Sequence, residues 1–167
     1  MIWLITGGER SGKTRYAMKL ARDLSKSPVY IATARRWDKD FERRISRHIA
    51  DRASEWTTIE IEKDIGDMDL TGKVAVVDCV TLWLTNFFFD NNQDVERSLQ
   101  EAEEQFDKVA KQNGTFIFVS NEIGMGTHAP TETGRKFTEL QGWMNQYVAG
   151  HADKVILMVS GIPLTIK

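Results

Sequence analysis

The sequence predicts an α/β fold in which helices flank a mostly parallel sheet that ends in an antiparallel strand. Five short, near-continuous apolar runs are typical of strands covered on both faces; they span residues 2–6, 29–33, 74–78, 116–120 and 155–159. Segments with helical spacing lie between several of these runs, and the alternation favours a doubly wound sheet with right-handed crossovers. No internal repeat or linker interrupts the pattern, so we expect residues 1–167 to form one domain.

Apolar stripes predict the helices. The first stripe follows a glycine-rich turn, and the others lie in the second half of the chain; their members are Tyr16, Ala17, Leu20, Ala21 and Leu24, then Leu99, Ala102, Phe106 and Val109, then Phe137, Leu140, Met144, Tyr147 and Val148. Residues 38–53 have the same spacing although they are strongly charged. After the fifth strand, residues 160–163 predict a turn into a short antiparallel strand at 164–167.

Charge and cysteine content narrow the class of protein. The net charge of -2 lacks the basic excess of a nucleic-acid surface, so we expect no nucleic-acid partner. No apolar stretch approaches the roughly 18 residues that a membrane span requires, and the first residues do not resemble a secretory leader. The single cysteine, Cys79, cannot form an internal disulfide, which fits the reducing cytoplasm.

The turn after the first strand matches the phosphate-binding pattern G-x-x-x-x-G-K-[ST], the P-loop. Its residues are Gly7, Gly8, Glu9, Arg10, Ser11, Gly12, Lys13 and Thr14. Glycines allow the backbone to bend so that its N–H groups point at phosphate oxygens, and the following helix adds the positive end of its dipole. We expect Lys13 to reach the β- and γ-phosphates of a nucleotide and the Thr14 hydroxyl to bind Mg²⁺.

An acidic residue at the end of a neighbouring strand could support the same ion. Asp78 ends the apolar run 74–78, at the sheet edge where ligands bind in such folds. Asp78 could instead cap the helix that follows. Metal support is the interpretation that the preceding apolar strand favours.

A histidine lies on the charged helical segment 38–53. Arg44, His48 and Arg52 recur every four residues and therefore share one face. A charge run of this kind usually marks a solvated helix face. The alternative is a nucleophilic imidazole between two guanidinium groups, suited to attack on a phosphate.

Consecutive aromatic residues follow Asp78. Trp83, Phe87, Phe88 and Phe89 are typical of helix core, but three successive phenylalanines cannot all face one core on a helix. We therefore expect at least one of them to reach a subunit interface or a substrate.

Several motifs together resemble the bifunctional adenosylcobinamide kinase/adenosylcobinamide-phosphate guanylyltransferase family of cobalamin biosynthesis. The resemblance extends over essentially the whole chain. The matching segments are residues 6–14, Tyr30-Ile31-Ala32-Thr33-Ala34, His48 with Arg52 and Trp56, residues 77–86, Ser120-Asn121-Glu122-Ile123-Gly124-Met125-Gly126, and Val159-Ser160-Gly161-Ile162-Pro163.

The resemblance implies a set of functional residues and partners. His48 would be the residue that carries GMP, and a RecA-type variant of the P-loop fold assembled as a homotrimer is implied. Guanine nucleotide contacts are implied for Ile31, Ala32 and Thr33, for Ile49, Ala50, Asp51 and Arg52, and for Glu60 and Asp78. The substrates would be adenosylcobinamide, GTP and ATP, with Mg²⁺ held by Thr14 and Asp78.

Two other functions compete with this interpretation. A plain P-loop kinase for a small molecule would lack the guanylyl intermediate, and His48 would then be a surface residue. A GTPase switch is disfavoured, because the D-x-x-G match at residues 69–72 precedes a strand and the chain contains no Asn-Lys-x-Asp motif.

Overall fold

The computed structural model describes residues 1–35 and 55–167, and it confirms the predicted α/β fold. Within these ranges the strands are β1 (Ile2–Gly7), β2 (Val29–Ala32), β3 (Thr57–Glu60), β4 (Val74–Asp78), β5 (Thr115–Val119), β6 (Lys154–Val159) and β7 (Ile162–Thr165). The helices are α1 (Lys13–Leu24), α2 (Val80–Asp90), α3 (Val95–Ala110) and α4 (Glu132–His151), with a 3-10 turn at Ile65–Asp67.

The strands form one sheet in the order β3-β2-β4-β5-β1-β6-β7. Neighbouring strands pair in parallel from β3 to β6, and β7 pairs antiparallel with β6. The carboxyl ends of β1, β5 and β4 therefore meet at one edge, with β5 in the middle. This arrangement agrees with the RecA-like, mostly parallel sheet expected for the chain.

Both faces of the sheet are covered, as continuous apolar strands require. One core packs α2, α3 and α4 against side chains such as Leu4, Val77 and Phe118. The other packs α1, through Ala17 and Ala21, against the alternate side chains of the same strands. This alternation decides which helix each residue at the carboxyl edge faces.

The five predicted strands are confirmed, with no boundary shifted by more than one residue. The sequence did not predict β3, whose residues are polar and mostly exposed apart from half-buried Ile59. The last strand begins at Ile162, before the predicted 164–167, because the turn is tighter than expected. Ser160 and Gly161 alone form it, with φ angles of 50° and 86° that suit a two-residue hairpin.

The three predicted helices are also confirmed, although Leu24 is 49% exposed and lies outside the buried stripe of α1. The predicted helix at 38–53 lies outside the described residues. On α2, Phe87 and Phe88 are buried, whereas Phe89 is 47% exposed. One of the three phenylalanines thus points outward as expected; its contact with a subunit or substrate stays a prediction. In the ranges described, every helix is too short or too polar to cross a lipid bilayer.

Candidate active site

The P-loop is a tight turn that only glycine can begin. Gly7 has a φ of 147°, and a Cβ built on it would lie 2.5 Å from the Met158 carbonyl oxygen and 2.9 Å from Ser11 Oγ. Gly12, with a φ of 96°, precedes α1 and supplies no side-chain cap. The N–H groups of the first turn of α1 are therefore left to a ligand, and an anion is the ligand that the helix dipole favours.

The C-terminal hairpin packs behind this turn. Gly161 N donates to Ser11 O at 2.9 Å, and a Cβ on Gly12 would lie 3.4 Å from Gly161 Cα. The sequence predicted a turn at these positions but not its contact with the P-loop. The β6–β7 turn therefore fixes the backbone that would surround phosphates.

Lys13 is 7% exposed, and its Nζ donates to the Gly8 carbonyl oxygen at 2.6 Å. Burial lowers the pKa of this ammonium, and the nearby carboxylates of Asp78 and Glu9 oppose the shift. A desolvated cation beside inward-facing N–H groups is stabilised by an anion. Ser11 Oγ, also buried, has no hydrogen-bond partner among the described residues, so a phosphate oxygen could satisfy it.

Thr14 and Asp78, the residues predicted to hold Mg²⁺, lie next to each other. Thr14 Oγ1 donates to Asp78 Oδ2 at 3.0 Å, and the Tyr30 hydroxyl donates to the same oxygen. Tyr30 reaches it because β2 pairs with β4, in a register that places Ala32 opposite Asp78. In the sequence, Tyr30 stood out only as part of a matching motif. Its alternation with the core side chains of β2 was the signal that could have identified it as a site residue.

These donors fit Mg²⁺. A hydroxyl and one carboxylate are hard oxygen ligands, and Mg²⁺ at nucleotide sites typically takes one or two protein oxygens together with phosphate oxygens. Tyr30 orients the carboxylate, which would leave Oδ1 of Asp78 available to an ion or to its water shell.

The tip of β5 lies between the P-loop and Asp78. Val119 is level with Ile5 on one side and with Asp78 on the other. Beyond it, Glu122 N donates to Gly7 O at 3.0 Å, and Asn121 is held at both backbone groups, by Thr81 Oγ1 and Asn145 Nδ2, each at 3.1 Å. These hydrogen bonds hold the backbone of the tip in place, and the sequence predicted no role for it beyond the motif match.

The residues expected to contact a guanine nucleotide differ in burial and in their position in the sheet. Ile31 is fully buried in the core, and the buried Thr33 hydroxyl donates to Cys79 O at 2.8 Å. Ala32 pairs with Glu60 at the carboxyl edge, where Glu60 borders a cavity of about 340 Å³. Any contact made by residues 31–33 would therefore come from their backbone or from Ala32.

Ion pairs tie the segments after β2 and β3 to the end of α2. Arg35 binds Glu62 at 2.7 Å and Asp90 at 2.8 Å, and Lys63 binds Asp90 at 2.7 Å. Hydrogen bonds, the stronger from Arg35 and the weaker from Lys63, hold the pKa of Asp90 well below its usual value. Beneath them, buried Asn86 donates to Thr33 O at 2.8 Å and to Glu62 O at 2.9 Å.

His48 and the predicted nucleotide contacts Ile49, Ala50, Asp51 and Arg52 lie outside the described residues. Their roles stay predictions. Two other histidines are described. His151 ends α4, with Nδ1 2.9 Å from the Tyr147 carbonyl oxygen, and His128 lies in the loop before α4.

Comparison with known proteins points to one family. The model of the family described as "Cobinamide kinase / cobinamide phosphate guanyltransferase" matches residues 3–166. The chain is 36% identical over 168 residues to the bifunctional adenosylcobalamin biosynthesis protein CobP of Pseudomonas aeruginosa, covering 98% of this chain and 96% of that protein. It is 34% identical over 182 residues to the bifunctional adenosylcobalamin biosynthesis protein CobU of Escherichia coli, over the full length of both.

A solved protein of Pyrococcus horikoshii OT3 shares the fold. It superposes with a TM-score of 0.52 at 9% sequence identity, over 99% of this chain and 85% of that one.

Proposed function

Since the chain belongs to the cobinamide kinase / cobinamide phosphate guanyltransferase family, we propose that it catalyses two reactions at its P-loop. It phosphorylates adenosylcobinamide with ATP or GTP, and it then transfers GMP from GTP to the product through His48, giving adenosylcobinamide-GDP. The observation that carries the proposal is the hydrogen bond from Thr14, next to buried Lys13 in the P-loop, to Asp78 at the end of β4.

In the kinase reaction, a terminal hydroxyl of the corrinoid attacks the γ-phosphorus, and the bond from that phosphorus to the nucleoside diphosphate breaks. Lys13 leaves the Gly8 carbonyl to bind phosphate oxygens, and the P-loop N–H groups hold the triphosphate in line. Mg²⁺, held by Thr14 and Asp78, would supply positive charge to the phosphates. The hydrogen bond from Glu122 N to Gly7 O holds the β5 tip against the start of the P-loop.

In the guanylyl reaction, the imidazole of His48 attacks the α-phosphorus of GTP. A nitrogen–phosphorus bond forms, and the bond to pyrophosphate breaks. A phosphate oxygen of adenosylcobinamide phosphate then displaces the imidazole, which restores His48 and completes the pyrophosphate linkage of the product. Covalent catalysis of this kind divides one difficult transfer into two easier ones, and Arg44 and Arg52 could neutralise developing charge.

We also propose a homotrimer. The edge strand β7 carries Ile162 and Leu164, which are 69% and 53% exposed, and Ile166, just after the strand, is 59% exposed. An apolar, unpaired sheet edge favours association with another chain. Light scattering tests the proposal: a mass near three times 19.1 kDa supports it, and a monomer contradicts it.

Labelled GTP tests the proposed function. We expect wild-type protein incubated with α-labelled GTP and Mg²⁺, then denatured, to retain label, whereas His48→Ala does not. His151→Ala is the matched control, because His151 lies at the end of α4, which leads into the amino end of β6 away from the P-loop. Absence of label on the wild type would leave the plain kinase as the better interpretation.

A further inference from the structure

A second cavity lies beside the P-loop, between the loop after β5 and the first turns of α4. Its volume is about 520 Å³, and its walls include Ile123, Thr127, Ala129, Arg135 and Thr138. None of these residues has a role in the nucleotide chemistry described above. We call this cavity the α4 groove.

Hydrogen bonds and a close glycine contact fix the shape of the α4 groove. Thr131 caps α4 by accepting a hydrogen bond from Gly134 N at 3.0 Å, and Arg135 Nη1 donates to Ala129 O and Pro130 O, each at 3.3 Å. A Cβ on Gly134 would lie 2.9 Å from Ala129 Cβ, so the glycine allows the loop to approach the helix closely.

The α4 groove begins one residue away from a contact with the P-loop. Its wall begins at Ile123, the residue after Glu122, whose N–H is bonded to the first glycine of the P-loop. The Glu122 side chain also holds this junction, because its Oε1 accepts from Gly124 N at 2.7 Å. A ligand in the groove would have to extend past Asn121 and Glu122 to reach the phosphates.

The charges of the α4 groove do not suit a second nucleotide. Its wall contains Arg135 and Lys136, but also Glu132 and Glu139, so the formal charges cancel. Lys136 is moreover paired with Glu132 at 2.8 Å. A triphosphate requires a net positive site, whereas a wall of mixed polar and apolar groups suits a large ligand whose surface consists mostly of amide and hydrocarbon groups.

We propose that the α4 groove binds the corrinoid acceptor and directs its reacting end to the P-loop in both reactions. The proposal rests on the proposed function, which requires an acceptor that is first an alcohol and then its phosphate ester. Two apolar side chains at the rim are exposed: Ile123 at 37% and Met125 at 80%. They extend the contact surface for a macrocycle larger than the groove.

A groove-filling substitution in the full chain tests this assignment. Thr127 is exposed in the loop, so Thr127→Trp adds bulk to the groove without entering the core. We expect the KM for adenosylcobinamide in the γ-phosphate reaction, and for adenosylcobinamide phosphate in the GMP transfer, to rise at least about 10-fold. Formation of the His48–GMP adduct, measured without corrinoid, should continue at the wild-type rate.

Gln146→Trp is the matched control, since Gln146 is exposed on the same helix and does not line the groove. It should leave both KM values and adduct formation unchanged. Wild-type KM values in Thr127→Trp would overturn the proposal. An equal loss of adduct formation and of GMP transfer would also overturn it, because the groove would then bind the nucleotide. If the wild type formed no adduct, the guanylyl step would be rejected, and the phosphorylation KM would still test the groove.

Discussion

The P-loop and the loop of the α4 groove occupy equivalent places, yet they are built in opposite ways. Each follows a central parallel strand at the carboxyl edge and leads into a helix. The P-loop is packed, with Ser11 and Lys13 at 8% and 7% exposed, and is bonded to Gly161 and Glu122. The loop from 123 to 128 is exposed, with Met125 at 80%.

This difference reflects what each loop has to bind. Phosphates are bound by backbone N–H groups, whose directions depend on a fixed turn, so the P-loop tolerates little change. A corrinoid would be bound by side chains on a helix face and a loop rim, where the backbone need not be constrained as tightly. Substitutions that add a single methyl group should therefore change stability and nucleotide affinity strongly in the P-loop and weakly in the other loop.

A pair of glycine substitutions tests this contrast most strongly. Gly7→Ala places a Cβ 2.5 Å from the Met158 carbonyl oxygen at a φ of 147°, so we expect nucleotide affinity to fall by about 100-fold or more and unfolding free energy by ~1–3 kcal/mol. Titration calorimetry with GTP and thermal denaturation measure the two effects.

The control is Gly126→Ala in the other loop. A Cβ there meets nothing within 4 Å, so we expect a stability change of no more than ~0.5 kcal/mol and unchanged GTP affinity. Equal effects at the two glycines would break the contrast between a fixed and an open loop.

A substitution with a smaller expected effect tests whether the tightly bonded region around the P-loop extends to the ends of β2 and β3. Asp90→Asn removes the carboxylate that joins Arg35 and Lys63. Because the network is partly exposed, we expect a loss of about 1 kcal/mol at pH 7, reduced further by salt.

The pH dependence of this loss has a definite sign. The pKa of folded Asp90 is depressed, so its stabilising contribution is present above its unfolded pKa and disappears as the pH falls below about 4. Denaturant titrations of wild type and Asp90→Asn should therefore converge in acid. Asp23→Asn, an exposed acid on α1 for which the described residues provide no ion pair, is the control. A difference that persists undiminished at pH 3 would contradict the assignment.

Local features of the chain explain what the sequence could predict. The apolar runs and the spacing of Gly7, Gly12 and Lys13 are contained within a few residues, so the main strands and the P-loop are predictable. Strand β3 is not, because Thr57 to Glu60 lack an apolar run and are ordered by pairing with β2.

Contacts between distant segments explain what the sequence could not predict. Tyr30 reaches Asp78 only through strand register, and Gly161 reaches Ser11 across 150 residues of chain. The α4 groove depends similarly on how closely Gly134 allows the loop to approach. The role of His48 rests on the family resemblance, since spacing alone left a solvated helix face as the alternative.

The proposed function depends most on a single P-loop that serves both reactions, and Lys13→Ala tests this directly. With γ-labelled and α-labelled GTP, we expect corrinoid phosphorylation and His48 guanylylation to fall together by about 100-fold or more, because both need the buried ammonium. Lys19→Ala, an exposed lysine on the same helix, should leave both rates unchanged. If Lys13→Ala abolished one reaction and left the other at the wild-type rate, the two reactions would require separate nucleotide sites.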